Sequence, residues 1–303
     1  MAAASHPAAA VIQWGLEHAE TASHEAFRRA VLRRIDQACR TPGTVLAVFP
    51  ELTGIWLQFS RLCSPVSSRR YSRWTYSLRH MPKLLSAFLH RDGAARLAAQ
   101  VDLDSWLSPF REAARQQGIY ICPGSSFVMD ASSRRVYNTS CLISPDGEVM
   151  GLRRKIHLTG IEQRLNTAAG NCEEDLEPFS TSFGEVGIAI CLDGFYRDAV
   201  SRLDRGGCEI VLQPSANSVP WDSSLKRRGY RVVQRDEWLF TGIGSLIQDC
   251  RSIRVALNTM DVTDHPLLRN SGCSSAWKRG ITSPIAIAPD PNREHQLIID
   301  IGR

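Results

Sequence analysis

The most constraining feature of this chain is the pair of apolar strands that flank one amphipathic helix near its start. Ala8 to Gln13 (AAAVIQ) reads as a short buried strand. His24 to Arg40 places Phe27, Val31, Ile35 and Ala38 at spacings of three and four, which is a helix stripe. Val45 to Phe49 follows as a continuous apolar run with no polar alternation. A strand apolar on both faces needs cover on both sides, so strand, helix, strand in this order points to a sheet packed under helices.

The same pattern continues. Asp102 to Gln117 brings Leu103, Trp106, Leu107, Phe110 and Ala114 onto one face, with Gly118 where a C-terminal cap belongs. Ile119 to Cys122 is the next strand. Val136 to Ser144 and Glu148 to Arg154 are joined through Pro145-Asp146-Gly147, a hairpin signal. Val186 to Cys191, Glu209 to Gln213, Arg254 to Asn258, Pro284 to Ala288 and Gln296 to Ile301 are five further strands. Helices are expected near Tyr196 to Arg205 and over Ser223 to Asp249. About ten strands interleaved with four or five helices fit a layered α/β domain better than a closed barrel or a purely parallel sheet. A chain of 303 residues with 43% apolar content is read as one such domain, 1–303.

Composition excludes several classes. No run reaches the roughly 18 to 20 apolar residues of a membrane-spanning helix, and Met1 to Ala10 lacks the basic and apolar regions of a secretory signal. A soluble, cytoplasmic protein is expected. The nine cysteines (39, 63, 122, 141, 172, 191, 208, 250, 273) form no C-x-x-C pair or Cys/His cluster, so neither a disulfide framework nor a structural zinc is supported. Charge is uneven. Residues 57–100 hold eight Arg or Lys against Asp92, so that segment carries +7 of a net +5 and the remainder −2. One basic segment on a near-neutral body does not make a nucleic-acid-binding protein, and no nucleic acid partner is expected.

Three short motifs close predicted strands: Phe49-Pro50-Glu51, Arg153-Arg154-Lys155-Ile156-His157-Leu158, and Gly187-Ile188-Ala189-Ile190-Cys191-Leu192-Asp193. Singly, each has a bland reading as a solvated Glu, a solvated basic face or an inert buried thiol. A thiol at a strand-to-helix junction, however, lies near unsatisfied backbone N–H groups and a positive helix end, which favour thiolate. As an ordered set the three resemble the nitrilase superfamily, the carbon-nitrogen hydrolases. The likeness extends to Tyr137-Asn138-Thr139 and Ser144-Pro145-Asp146-Gly147. It continues through Gly206-Gly207-Cys208-Glu209-Ile210-Val211, Gln213-Pro214-Ser215-Ala216 and Val255-Ala256-Leu257-Asn258.

The resemblance implies a four-layer α-β-β-α sandwich, a self-associating protein, and a cysteine-dependent hydrolase of non-peptide C–N bonds. It assigns Cys191 as nucleophile, Glu51 as general base and then acid, and Lys155 as the group that stabilises the tetrahedral intermediate. Thiol chemistry on an amide needs those three roles filled and no metal or organic cofactor. Glu162 is a candidate fourth member, weighed evenly against a plain surface Glu. The backbone N–H of Leu192 is a candidate oxyanion donor, and Phe195, Asn217 and Trp221 are candidate pocket residues. His157 is assigned a structural role, and Asp193 the fixing of the turn. Leu192-Asp193 stands where true nitrilases commonly show Trp then Glu, which favours a small linear amide or carbamoyl (ureido) substrate over a nitrile. Acyl transfer by the same triad, and a catalytically silent scaffold binding a partner through the basic insertion, are the alternatives. For the amphipathic, helical insertion at 57–100, a solvated hairpin, a lid, a subunit contact and a surface for anionic lipid all stay open.

Overall fold

The computed structural model describes residues 6–63, 92–227, 230–264 and 269–302. Most of the basic insertion, 64–91, therefore lies outside the described residues.

Two sheets are built from strands in chain order. The first contains β1 (Ala8–Gln13), β2 (Thr44–Val48), β3 (Tyr120–Cys122), β4 (Ser125–Met129), β5 (Val136–Ile143) and β6 (Val149–Arg154). The second contains β7 (Phe179–Thr181), β8 (Gly184–Ile188) and β9 (Ile210–Ala216). A hairpin of β10 (Ser224–Arg227) and β11 (Tyr230–Val233) follows, then β12 (Val255–Asp261), β13 (Ser275–Lys278) and β14 (Ala286–Ile287) of the second sheet, and β15 (His295–Asp300), which returns to the first. The first sheet runs β15-β1-β2-β3-β5-β4 with β6 also on β5, and the second β14-β13-β12-β9-β8-β7. β1, β2 and β3 are mutually parallel, as are β8, β9 and β12; the other pairings are antiparallel.

The apolar runs explain the layering. In β1, Ala9 and Val11 enter the core that the second sheet shares, while Ala10 and Ile12 enter the core under helices His24–Cys39 and Leu103–Gln117. β2 repeats the division, with Leu46 and Val48 on one side and Ala47 on the other. Phe27, Val31 and Ile35 of the first helix and Trp106, Leu107 and Phe110 of the second supply the outer cover. On the second sheet, Ala199, Val200 and Leu203 of helix Arg197–Arg205 do the same. Period-two alternation thus buries both faces of each central strand, giving helix, sheet, sheet, helix.

Local chemistry sets the ends of these elements. Asp102 caps its helix by accepting from Ser105 N at 2.6 Å, and Gly118 ends it with φ +64°. Gly147 takes φ +76° in the β5–β6 hairpin, and its N–H donates to Ser144 O at 2.8 Å.

Three expectations need correction. The helix expected over Ser223 to Asp249 begins only at Gln234 and runs to Phe240; the residues before it form the β10–β11 hairpin, with Leu225 opposite Val232. Tyr230, Val232 and Val233 favour extended backbone, and cross-strand pairing there outweighs the helical spacing. The strand expected over Pro284 to Ala288 shrinks to Ala286–Ile287. The strand expected over Val186 to Cys191 ends at Ile188, and Cys191 opens a 3-10 turn, Cys191–Phe195. β4, β7 and β13 were not legible as apolar runs.

Candidate active site

The site gathers where several strands end. Glu51 lies three residues beyond β2, Lys155 directly after β6, Cys191 three residues beyond β8, and Ala216 ends β9. Clustering of functional groups at carboxyl ends of parallel strands is the general rule for open α/β sheets.

Glu51 is 3% exposed. Its Oε1 accepts from Lys155 Nζ at 2.7 Å and from Asn138 Nδ2 at 2.8 Å, and its Oε2 accepts from Ala216 N at 3.0 Å. The turn that presents it is tight: Leu52 has φ +74°, and its N–H donates to Ser125 Oγ at 3.2 Å. Gly124, at φ +85°, lies so near that an added Cβ would stand 1.9 Å from Pro50 O. Gly124→Ala is therefore expected to cost roughly 2 kcal/mol or more and to displace the Glu51 turn. Urea unfolding checks this; wild-type stability would mean that the Pro50 turn moves aside freely.

Lys155 is held by the β5–β6 ladder, its N–H donating to Asn138 O at 2.8 Å. Its ammonium is 1% exposed and pairs with Glu51 and, at 3.0 Å, with Glu162 Oε2. Glu162 reaches this place through local chemistry. Thr159-Gly160-Ile161-Glu162 is a capping box, in which Glu162 Oε2 accepts from Thr159 N and Oγ1, both at 2.8 Å. Its other oxygen accepts from Asn138 Nδ2 at 2.7 Å. Glu162 is thus a buried member of the cluster, not a surface Glu.

Cys191, 5% exposed, takes the left-handed conformation with φ +49°, a strained backbone for a residue with a Cβ. Gln213 Nε2 donates to its carbonyl at 2.7 Å, and Gly194 packs so closely on that amide that a Cβ would lie 2.2 Å away. Asn258 Nδ2 holds Gln213 Oε1 in turn, at 3.0 Å. The Asp193 carboxylate accepts from His157 N at 2.7 Å and Ile156 N at 3.2 Å, tying the cysteine turn to the lysine strand. His157 Nδ1 lies 3.0 Å from Asp193 and Nε2 3.2 Å from Asp198. Burial opposes the charge on that ring, and the two aspartates raise its pKa nonetheless.

Electrostatics follow from crowding two carboxylates, one ammonium and one thiol into a buried cluster. Burial raises the Glu51 carboxyl above its ordinary range, with Lys155 opposing and Glu162 adding to the rise. For Glu162, burial is outweighed by Lys155 and by hydrogen bonds from Asn138 and Thr159, so its pKa is lowered. Burial likewise opposes the Lys155 charge, and Glu162 and Glu51 together raise it. Burial, then the Glu51 charge, push the Cys191 thiol far up. Lys155 Nζ thus stands between the two carboxylates, 2.7 Å from Glu51 and 3.0 Å from Glu162, beside a thiol whose burial disfavours its ionisation.

A cleft of about 840 Å³ opens onto Glu51, Lys155, Glu162 and Cys191. Leu192, Phe195 and Asn217 line it. The N–H of Leu192 is in the first turn of Cys191–Phe195, where an amide lacks an intrahelical acceptor. Asn217 uses its amide on Val219 O at 2.7 Å and Ser271 O at 3.0 Å, so it shapes the wall as a brace. Trp221, expected in the pocket, is packed in the core, where its ring and the Met260 side chain both lie against Gly272, and does not line the cleft. Asn138 carried the sequence resemblance without an assigned role; its burial at the centre of three polar groups required the fold to see. Trp56 and Trp238 of the cleft gave no sequence signal beyond helical spacing.

The fold defines a class, that of layered α/β proteins in which two sheets pack between helices. A solved amidase from Nesterenkonia sp. shares the fold with TM-score 0.64 at 16% identity, covering 99% of this chain and 92% of its own. Residues 8–231 match the family described as Carbon-nitrogen hydrolase, and the chain belongs to that family. Among relatives, omega-amidase NIT2 of Xenopus tropicalis is 29% identical over 152 residues, 48% of this chain and 54% of that protein. N-carbamoylputrescine amidase of Arabidopsis thaliana is 29% identical over 134 residues, 42% and 43% of the two chains. The chain spans about half the length of the curated relatives it matches. Among the described residues, no helix is long and apolar enough to cross a membrane.

Proposed function

We propose that this chain hydrolyses a C–N bond, other than a peptide bond, in a small linear amide or carbamoyl compound through a thioester on Cys191. The observation that carries the reading is the meeting of Glu51, Lys155 and Cys191 in one buried cleft, with Lys155 Nζ 2.7 Å from Glu51 Oε1. Amide and carbamoyl-compound hydrolases among its relatives support the same substrate class.

The chemistry follows from the charges. A free thiolate would be the third negative group beside Glu51 and Glu162, so the thiol proton passes to Glu51 as sulfur attacks the carbonyl carbon. Net charge inside the cluster then stays constant. Negative charge moves onto the substrate oxygen, where the Lys155 ammonium and the Leu192 N–H receive it. Glu51 returns its proton to the departing nitrogen, the C–N bond breaks, and ammonia or an amine leaves the thioester. Water attacks next, Glu51 takes its proton, and as the C–S bond breaks Glu51 passes that proton to the departing sulfur, releasing the acid (or carbamate) and restoring the thiol. Glu162 keeps Lys155 charged and aimed throughout. Asn138 fixes both carboxylates, making it a positioning residue.

Because Glu51 acts ionised and its pKa is raised by burial, activity falls as pH drops through that raised value. The acid limb of kcat/KM is expected above the ordinary carboxyl value of 4.5. A pH–rate profile whose acid limb lies at or below 4.5 would remove Glu51 as the base.

The testing experiment is intact-protein mass spectrometry after brief incubation with mixed short amides, carbamoyl compounds and nitriles, comparing wild type with Cys191→Ser. An acyl adduct mapped to Cys191 establishes the thioester. Consumption of amides with no dependence on Cys191 overturns it. The eight cysteines of the described residues whose state is defined are free thiols, which supports a reducing, cytoplasmic setting.

A further inference from the structure

The cleft walls bear on which amide fits. Helix Thr53–Cys63 contributes Ile55, Trp56 and Phe59 to one wall, and the turn after Cys191 with helix Gln234–Phe240 contributes Phe195 and Trp238 to another. Each wall is an aromatic pair. Trp56 and Phe59 have ring centroids 5.7 Å apart, and Phe195 meets Trp238 edge to face at 4.8 Å. The one polar atom of Trp56 is already used: Nε1 donates to Asp261 Oδ2 at 2.8 Å. Asp261 is wholly buried and held by Thr263 N at 2.8 Å and Asn270 Nδ2 at 2.7 Å. That anchor fixes the indole and leaves carbon surface for the cleft.

Among the described residues, charge in the cleft is limited to the catalytic cluster and two residues that are exposed or partly exposed. Outside Glu51, Lys155 and Glu162, the charged residues lining the cleft among the described residues are Arg197 and Glu237. Arg197 is exposed and paired with Asp249 at 2.8 Å, and Glu237 is partly exposed. The amide of Asn217, the polar group nearest in sequence to β9, is occupied by backbone carbonyls. A volume of about 840 Å³ also exceeds what a two-carbon amide fills.

We propose that the acyl half of the substrate is a neutral apolar group, an aliphatic chain or aromatic ring, selected by the Trp56 and Trp238 walls. This rests on the hydrolase reading above and narrows it. The scissile amide is held at Cys191 while the apolar tail loses water against the two aromatic pairs.

Titration calorimetry of Cys191→Ala with neutral amides from acetamide to hexanamide and phenylacetamide, against succinamate and 4-aminobutanamide, tests it. Affinity is expected to rise roughly three- to fourfold per added methylene along the neutral series, with both charged amides weaker than neutral ones of equal length. Trp238→Leu in the same background is expected to flatten that rise. Tighter binding of either charged amide, or no dependence on chain length, overturns the proposal. Wild-type turnover separates the two readings. A rising affinity series with no amide consumed removes the hydrolase and keeps the apolar site, whereas turnover confined to charged amides does the reverse.

Discussion

Cys191→Ser is expected to lower kcat by roughly 10⁴-fold or more, the loss typical when a covalent nucleophile is replaced by one its surroundings cannot activate. The reason is specific to this cluster. Glu51 is poised to take a thiol proton, and burial, which raises its pKa, makes it a stronger base than an ordinary carboxylate. A serine hydroxyl is a far weaker acid, so the same carboxylate cannot generate a useful alkoxide. Stability should change little, because a serine hydroxyl can take over the thiol's hydrogen bond to Glu51 and its contact, 3.5 Å, with Ala216 O, and the strained backbone is held by Gln213 and not by the side chain. The two readouts are single-turnover release of ammonia and a thermal melt. Loss of turnover with an unchanged melt is the expected pair; retained turnover at wild-type rate would exclude a thioester.

Lys155→Met is expected to be the most damaging single change to the folded protein. The ammonium, 1% exposed, faces two buried carboxylates. Removing it leaves their charges uncompensated in a buried site, and breaking a buried pair in this way costs roughly 3–5 kcal/mol. The sign with pH is definite. With Lys155 absent, both carboxyls have folded pKa values above their unfolded ones, so the variant is least unstable at low pH, where they are neutral. It loses stability as pH rises through those raised values. Urea unfolding at pH 5 and pH 8 measures the difference. The double variant Lys155→Met/Glu162→Gln should recover much of the stability because one buried charge is gone. It should recover no activity, since the oxyanion still lacks its cation. Equal stability of wild type and Lys155→Met at pH 8 would show that water reaches the cluster and screens it.

The basic insertion illustrates a different boundary. Its composition marks it out, yet composition is compatible with a lid, a contact or a solvated hairpin, and only 57–63 and 92–100 of it belong to the described residues. The flanks do bear on the site: Phe59 and Leu97 both line the cleft.

The layered α/β architecture was determined by sequence alone, because strands apolar on both faces have no stable placement except between two covers. Glu51, Lys155 and Cys191 were singled out otherwise, by the resemblance of three ordered motifs to the nitrilase superfamily, since each motif alone has a bland reading. The Thr159–Glu162 capping box was also written locally, in four residues. Tertiary structure decided the rest. Whether Glu162 faced water or Lys155 depended on packing across the β5–β6 edge. Asn138 gained its role only from two carboxylates that lie 87 and 24 residues away in the chain. Trp221 was misplaced because proximity in sequence to β9 does not fix which way a side chain turns, and its ring went to the core. Ser223 to Val233 became a hairpin because cross-strand pairing, which no local window contains, outweighed helical spacing. Local chemistry sets where elements begin and end, whereas the surroundings of a polar side chain are set by residues far away in the chain.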